Sequence, residues 1–244
     1  MFPLRDANPR HSRPFIMWLL VVINGAVFYH EFSLFGNDLG LERFVSTYGF
    51  IPEEFFAFPL REAFTLISSL FLHGGLLHIV GNMFFLFVFG DNVEDRMGHG
   101  RFLVFYLLGG AFATLVHGFF STESNLPLVG ASGAISAVLG AYIVLFPRQK
   151  VLTFIPPLLL PWLFFRLFGR IRRFFAPWLP AWLYIGYWAL LQFFEAGNGL
   201  LNQDADMSNV AFLAHVGGFV FGLLLVKLFV KERPEPQLPG SISP

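Results

Sequence analysis

The chain has 244 residues, and its composition is that of a protein embedded in a membrane. Hydrophobic residues make up 55% of it, aromatic residues 18%, and charged residues only 13%. Soluble domains carry about 25% charged residues, so the composition excludes an ordinary soluble fold. The net charge is zero, which gives no bulk attraction to nucleic acid, and the lack of cysteine excludes disulfides, thiol catalysis and cysteine-based zinc sites.

The N-terminal half of the chain predicts three membrane spans. A basic tail, residues 1–14, precedes an apolar run from Phe15 to about Tyr29, and no small-residue cleavage site follows it, so we interpret the run as an uncleaved first span. The second span is predicted from Leu76 to about Phe89 and the third from Phe102 to Phe120. We expect the charged segment Gly90–Gly98 to form the turn between them.

Three further spans are predicted in the C-terminal half. They run from Ser132 to Phe146, from about Trp178 to Phe194 and from Val210 to Val230. The first of these would be only about 22 Å long at 1.5 Å per residue, against about 30 Å of hydrocarbon. A span this short begins below the membrane surface. Irregular backbone at that depth is tolerated only inside the protein or beside a wet cavity, so a cavity is expected ahead of Ser132.

Two connecting segments are too apolar to be simple linkers. Residues 31–74 predict a structured loop at the membrane surface, because they include an amphipathic stretch from Phe64 to His73. Residues 148–176 contain three prolines and an arginine stripe, which favours an interfacial segment on the cytoplasmic leaflet over a seventh span. Residues 231–244, rich in Pro, Gly and Ser, are expected to form a disordered cytoplasmic tail.

Together these segments predict an all-α, polytopic membrane domain with six spans over residues 15–230. The distribution of charge predicts how this domain is oriented in the membrane. With both termini inside, only Arg43 and Arg61 of the 16 Lys and Arg residues lie outside, whereas 10 of the 16 acidic residues do. This is a strong positive-inside bias. The chain is therefore expected to be a multi-pass protein of a plasma or inner membrane, with both termini cytoplasmic.

Four polar residues from three of the predicted spans fall at one depth in the outer half of the membrane. His78 and Asn82 lie in the first turns of the second span, Ser132 begins the fourth, and His215 lies near the start of the sixth. Intramembrane polar residues usually face a bundle interior or a cavity. Their shared depth predicts one site that opens to the outer side.

The residue types suggest roles in acyl transfer. His215 is the candidate general base for the hydroxyl of Ser132. His78 and Asn82 are four residues apart, hence on one helical face, and both can donate hydrogen bonds. Together with the backbone N–H of Ser132, they would form an oxyanion hole. No embedded carboxylate accompanies His215, so the predicted unit is a dyad of modest efficiency.

Close approach of the fourth and sixth spans is a condition for this site. Gly133, Ala137 and Gly140 on one span, and Gly218 and Gly222 on the other, are the small residues that permit it. Taken alone, the segment Gly130–Ala134 is more typical of a packing contact with no chemical role than of a catalytic site. We expect no cofactor and no metal, since the histidines lack the spacing of a metal motif.

Three ordered motifs resemble those of the rhomboid intramembrane serine proteases. They are the segments Phe71–Met83, Gly130–Gly133 and Ala214–Gly222. The resemblance extends over about residues 15–230, and it departs from the family in the first loop, where Phe64 and Thr65 stand in place of a Trp-Arg pair. It implies a six-helix rhomboid bundle that cleaves transmembrane segments of other proteins near the outer membrane face.

By this resemblance Ser132 is the nucleophile, His215 its base, and His78 and Asn82 the oxyanion-hole donors. The implied partners are single-span membrane proteins and the lipid bilayer. We expect no nucleic-acid partner, and the sequence does not define an oligomeric state. One alternative is a catalytically inactive rhomboid-like protein that binds membrane clients. A second is a small transporter, which is disfavoured because the chain has no convincing internal repeat.

Overall fold

The computed structural model describes residues 2–9, 11–154, 177–201 and 210–231, and these form a helical bundle with one small sheet. The chain order is β1 (Phe2–Asp6), α1 (Phe15–Ser33), α2 (Asp38–Tyr48), α3 (Pro52–Ala57), α4 (Pro59–Glu62), α5 (Thr65–Ser68), a 3-10 turn (Ser69–Phe71), α6 (Leu76–Met97), α7 (His99–Phe119), α8 (Ser132–Leu145), β2 (Lys150–Phe154), β3 (Trp178–Pro180), α9 (Ala181–Leu201) and α10 (Val210–Phe229).

Four of the described helices, α1, α6, α7 and α10, are long and apolar enough to cross a membrane. Helix α8 is also apolar but has only 14 residues. The sequence predicted a fourth span of this short length. Helix α9 has 21 residues and includes several polar side chains. The protein is therefore a helical, polytopic membrane protein, as predicted, whereas the crossing of the membrane by six helices, α8 and α9 included, stays a prediction.

Helix α8 is the central helix of the bundle. Every residue from Gly133 to Tyr142 is buried, and the helix packs against α6, α7, α9 and α10. An apolar helix that is buried on all sides needs no amphipathic pattern, which is why its sequence reads as uniformly small and hydrophobic. Ser132 therefore begins a helix whose position is fixed by four neighbouring helices.

The backbones of α8 and α10 touch through glycine. A Cβ atom built on Gly222 would lie 2.0 Å from the carbonyl oxygen of Ala137, and one on Gly218 would lie 2.1 Å from that of Gly133. In the other direction, a Cβ on Gly140 would lie 2.3 Å from the carbonyl oxygen of Phe219. No side chain fits at these positions, so the predicted close packing of small residues is confirmed.

The predicted turn Gly90–Gly98 is wrong, because α6 continues as helix to Met97. The polar side chains in this stretch find tertiary partners. The carboxylate of Glu94, which is fully buried, accepts hydrogen bonds from the backbone N–H groups of Ile16 and Met17 at 2.9 and 2.7 Å, and so caps the start of α1. Gly98, at φ +78°, then ends the helix.

A three-stranded antiparallel sheet lies at the same end of the bundle, and its first strand falls inside the segment interpreted from sequence as a tail. Strand β1 pairs with β2, and β2 with β3. Asp6 anchors β1 to the helices, since it accepts hydrogen bonds from the hydroxyl of Tyr142 at 2.6 Å and the amide of Asn92 at 2.7 Å. Most of the predicted interfacial segment, residues 155–176, and the tail 232–244 lie outside the described residues.

The segment between α1 and α6 is structured, as predicted. It contains α2 to α5 and the 3-10 turn, and α5 packs against α7. At its end, the buried carboxylate of Glu31 accepts a hydrogen bond from the backbone N–H of His73 at 3.1 Å. This bond ties the entrance of α6 to the end of α1.

We expect Gly222→Ala to destabilise the protein, because the new methyl group meets the backbone of Ala137. Overpacking costs about 1–3 kcal/mol, which corresponds to a fall of about 2–10 °C in the midpoint of thermal unfolding in detergent. The matched control is Gly25→Ala in α1, where a Cβ atom has no neighbour within 4 Å. An equal midpoint in the two variants would contradict the close contact.

A second prediction concerns the pH dependence of stability. Burial raises the pKa of Asp6 from an ordinary value of 3.8 to about 6, although the hydrogen bond from Tyr142 opposes this shift. The folded state therefore binds this proton more tightly than the unfolded state, and the stabilising contribution is lost as the pH rises from about 4 through 6. The unfolding midpoint of Asp6→Asn, relative to that of the wild type, should rise between pH 4 and pH 7. A constant difference would contradict the burial of the carboxylate.

Candidate active site

The four polar residues selected from the sequence line one cavity. It has a volume of about 260 Å³ and lies between α6, α8, α9 and α10. Its polar wall is formed by His78, Asn82, Ser132 and His215, together with Ser136. The remaining lining residues are Leu77, Gly81, Phe85, Ile135, Leu139 and Trp188. The predicted cavity beside the start of α8 is therefore present, with four helices and the predicted residues around it.

Ser132 is the first residue of α8, and its position follows from the helix geometry. The first turn is closed by a hydrogen bond from the N–H of Ile135 to the carbonyl oxygen of Ala131 at 3.0 Å. The N–H groups before Ile135 have no carbonyl partner within the helix. The N–H of Ser132 is one of these, so an acceptor in the cavity can use it.

A second serine, Ser136, also lines the cavity, and sequence reasoning missed it. Its hydroxyl donates a hydrogen bond of 2.7 Å to the carbonyl oxygen of Ser132, one turn earlier. Serine hydroxyls in helices commonly bond in this way. Because the Ser136 proton is already engaged, Ser132 is the better candidate nucleophile of the two.

The two side chains predicted as oxyanion donors differ in their hydrogen bonding. The Nδ2 atom of Asn82 is buried and has no hydrogen-bond partner among the described residues. An unpaired buried amide donor is costly, and a ligand atom that accepts from it would relieve the cost. The Nδ1 atom of His78 lies 3.4 Å from the backbone N of Gly74. If that N–H donates to Nδ1, the proton of the neutral ring is on Nε2, as an oxyanion donor requires.

Gly130 is the residue that lets His78 approach the start of α8. A Cβ atom built on Gly130 would lie 2.8 Å from both Cε1 and Nε2 of His78, and 3.7 Å from Nδ2 of Asn82. Its φ is +127°, a region that favours glycine. The glycine two residues before Ser132 is therefore required by space and by backbone conformation, which is a more specific role than general helix packing.

His73 supports His78 from the loop ahead of α6. The two rings are in edge-on contact, with centroids 5.2 Å apart. Burial and, to a smaller extent, the neighbouring His78 together lower the pKa of His73 to about 4. His73 is consequently neutral at physiological pH, so it adds no charge beside the cavity.

His215 is held by helix α9 as well as by its own helix. Its Nδ1 atom lies 2.7 Å from Oε1 of Gln192, and its ring lies 6.2 Å, centroid to centroid, from that of Trp188. Sequence reasoning missed both residues. The available signal was Gln192 itself, an uncharged polar residue inside an otherwise apolar predicted span.

The structure is a polytopic helical bundle with a serine, two histidines and an asparagine around one cavity, which are residue types that serine hydrolases use. Comparison with known proteins agrees with the class of fold. The model of the Rhomboid domain matches residues 60–232, well over half of the chain. The chain therefore belongs to the rhomboid family, as the sequence motifs indicated.

Several relatives resemble the chain over long stretches. RHOMBOID-like protein 12, mitochondrial, of Arabidopsis thaliana is 28% identical over 84% of this chain and 51% of its own length. Rhomboid protein 1, mitochondrial, of Saccharomyces cerevisiae is 25% identical over 75% of this chain and 45% of its own length. Rhomboid protease GluP of Bacillus subtilis is 30% identical over 59% of this chain and 27% of its own length. The chain thus spans between about a quarter and a half of these relatives.

Proposed function

We propose that this protein is an intramembrane serine endopeptidase that uses a Ser132–His215 dyad. The observation that carries the proposal is the convergence of Ser132, His215, His78 and Asn82 on one recessed cavity. The similarity to a relative named as a rhomboid protease supports it. The unpaired amide of Asn82 in the same cavity is what a site for a developing oxyanion would contain.

The first chemical step is attack on the scissile peptide carbonyl. The Oγ of Ser132 forms the new C–O bond while its proton passes to His215, and the carbonyl oxygen becomes an oxyanion. The N–H of Ser132, the Nε2 of His78 and the Nδ2 of Asn82 are the donors that would stabilise it. His215 then gives the proton to the departing amine, and the C–N bond breaks.

The second step returns the enzyme to its starting state. A water molecule loses a proton to His215 and attacks the acyl ester on Ser132, with the same three donors around the oxyanion. The C–O bond to Ser132 breaks, and His215 returns the proton to the Ser132 oxygen. The product is a free carboxylic acid, so water must reach the cavity, which is compatible with its polar wall.

We propose transmembrane segments of single-span membrane proteins as the substrates, cut near the outer membrane face. The bias of Lys and Arg towards one side supports an orientation with both termini cytoplasmic and the cavity open to the outer side. A plasma or inner membrane is the proposed location.

The direct test is cleavage of a single-span substrate by purified protein in lipid vesicles. We expect Ser132→Ala and His215→Ala to reduce cleavage by at least about 10³-fold, since each removes one half of the nucleophile–base pair. Ser136→Ala is the matched control and should retain most activity, because its hydroxyl bonds the backbone. Full cleavage by either dyad variant would overturn the mechanism, and wild-type binding without cleavage would favour the client-binding alternative.

The oxyanion role predicts a contrast between two glycines beside His78. Gly130→Ala should lower kcat by at least tenfold, because the methyl group displaces His78 from the position of the developing oxyanion. In Gly74→Ala the new Cβ would lie 3.9 Å from Nδ1 of His78, an ordinary contact, so kcat should change little. Comparable kcat values for the two variants, at equal thermal stability, would argue against the role of His78.

A further inference from the structure

The base of the proposed dyad has a hydrogen-bond partner that the sequence motifs do not include. Gln192 lies on α9, and its Oε1 is 2.7 Å from Nδ1 of His215 on α10. This is a good distance for a hydrogen bond between an imidazole nitrogen and an amide oxygen. Gln192 and Trp188 are four residues apart, hence on one face of α9, and both contact His215.

The chemistry of the amide decides where the proton of His215 resides. An amide oxygen can only accept a hydrogen bond, so its partner Nδ1 must carry the proton. In a neutral imidazole the other nitrogen, Nε2, then has the free lone pair. A general base requires a free lone pair on the nitrogen that faces the nucleophile. The hydrogen bond to Gln192 therefore leaves the correct nitrogen unprotonated.

The aromatic neighbours restrict the ring further. Trp188 lies against one side of the imidazole and Phe212 meets it edge-on, each with centroids 6.2 Å away. Trp188 is in turn held against Phe219, with centroids 6.0 Å apart. Packing limits the tilt of the ring, whereas the hydrogen bond from Nδ1 to Gln192 distinguishes the two ring nitrogens.

We propose that Gln192 is a positioning residue that fixes the Nδ1–H tautomer and the orientation of His215. This inference rests on the proposed function, because it assigns the third group of the same site. Gln192 takes the place that a carboxylate occupies in a Ser-His-Asp triad, but it is neutral. It therefore orients the base without an ionic partner for the imidazolium that forms, which agrees with the modest catalysis expected of a dyad.

The tautomer can be measured without any cleavage assay. In protein labelled with ¹⁵N-histidine at about pH 8, the nitrogen shifts and couplings distinguish Nδ1–H from Nε2–H, and the signal missing in His215→Ala identifies His215 among the seven histidines. His78, the titratable group of α6 that lines the same cavity, is neutral at this pH. We expect Nδ1–H in the wild type. Nε2–H would overturn the proposal.

Variants at position 192 test the consequence for catalysis. Gln192→Leu should show a mixture of tautomers and a kcat about tenfold lower with little change in KM, as expected for loss of one hydrogen bond that orients a catalytic group. Gln192→Glu keeps an acceptor oxygen at the same reach and should keep the Nδ1–H tautomer. Leu190→Ala, an exposed position on the same helix, is the control.

The outcomes separate this proposal from the proposed function. Cleavage by Gln192→Leu at the wild-type kcat would refute the positioning role while leaving the dyad intact. Absence of cleavage in the wild type would refute the proposed function, and the tautomer of His215 would still decide the role of Gln192. If Gln192→Leu does not fold, the wild-type spectrum decides by itself.

Discussion

The contact between the backbones of α8 and α10 is the constraint on which the rest of the site depends. Gly218 and Gly222 lie directly against the carbonyl groups of Gly133 and Ala137, so no side chain separates the two helices at these positions. Helix α8 begins with Ser132 and α10 holds His215, so this contact places both on one cavity. In a membrane the hydrophobic effect contributes little to helix association. Helices associate instead through close van der Waals packing, which small residues permit.

The other helices hold α8 and α10 in place, both at the cavity and at the opposite end of the bundle. On the cavity side, Gly130 admits His78 beside the start of α8, and Gln192 of α9 holds the ring of His215. At the opposite end, the buried carboxylate of Glu94 caps α1, and Asp6 joins the small sheet to α6 and α8. The carboxylates of Glu94 and Asp6 accept hydrogen bonds at that end, whereas the amide nitrogen of Asn82 in the cavity has no partner among the described residues.

Much of this arrangement could be predicted from the sequence, because the membrane restricts the possible structures. Span direction and depth placed Ser132, His78, Asn82 and His215 together, and the spacing of Gly218 and Gly222 predicted a close contact; the cavity and the packing agree with both. The short helix α8 was also predicted within one residue of its observed end. These features follow from the local residue pattern and from the depth of each residue in its span, and both can be inferred from a single sequence.

The remaining features depend on tertiary partners that no local pattern reveals. The segment after Gly90 resembles a turn because it is charged, yet it stays helical since Glu94 is paired with backbone groups 77 and 78 residues away. Strand β1 exists because β2, far along the chain, pairs with it. Gln192 was visible as a polar residue in an apolar span, but its partner, 23 residues away, depends on how α9 packs against α10.

The most direct test of the central claim is covalent modification by a fluorophosphonate, with the modified residue mapped by mass spectrometry in the intact, folded protein. If α8 and α10 bring His215 to Ser132 and make that serine nucleophilic, the adduct will form on Ser132 and will be lost in His215→Ala. An adduct on Ser136, or labelling of Ser132 that is unchanged in His215→Ala, would contradict the account.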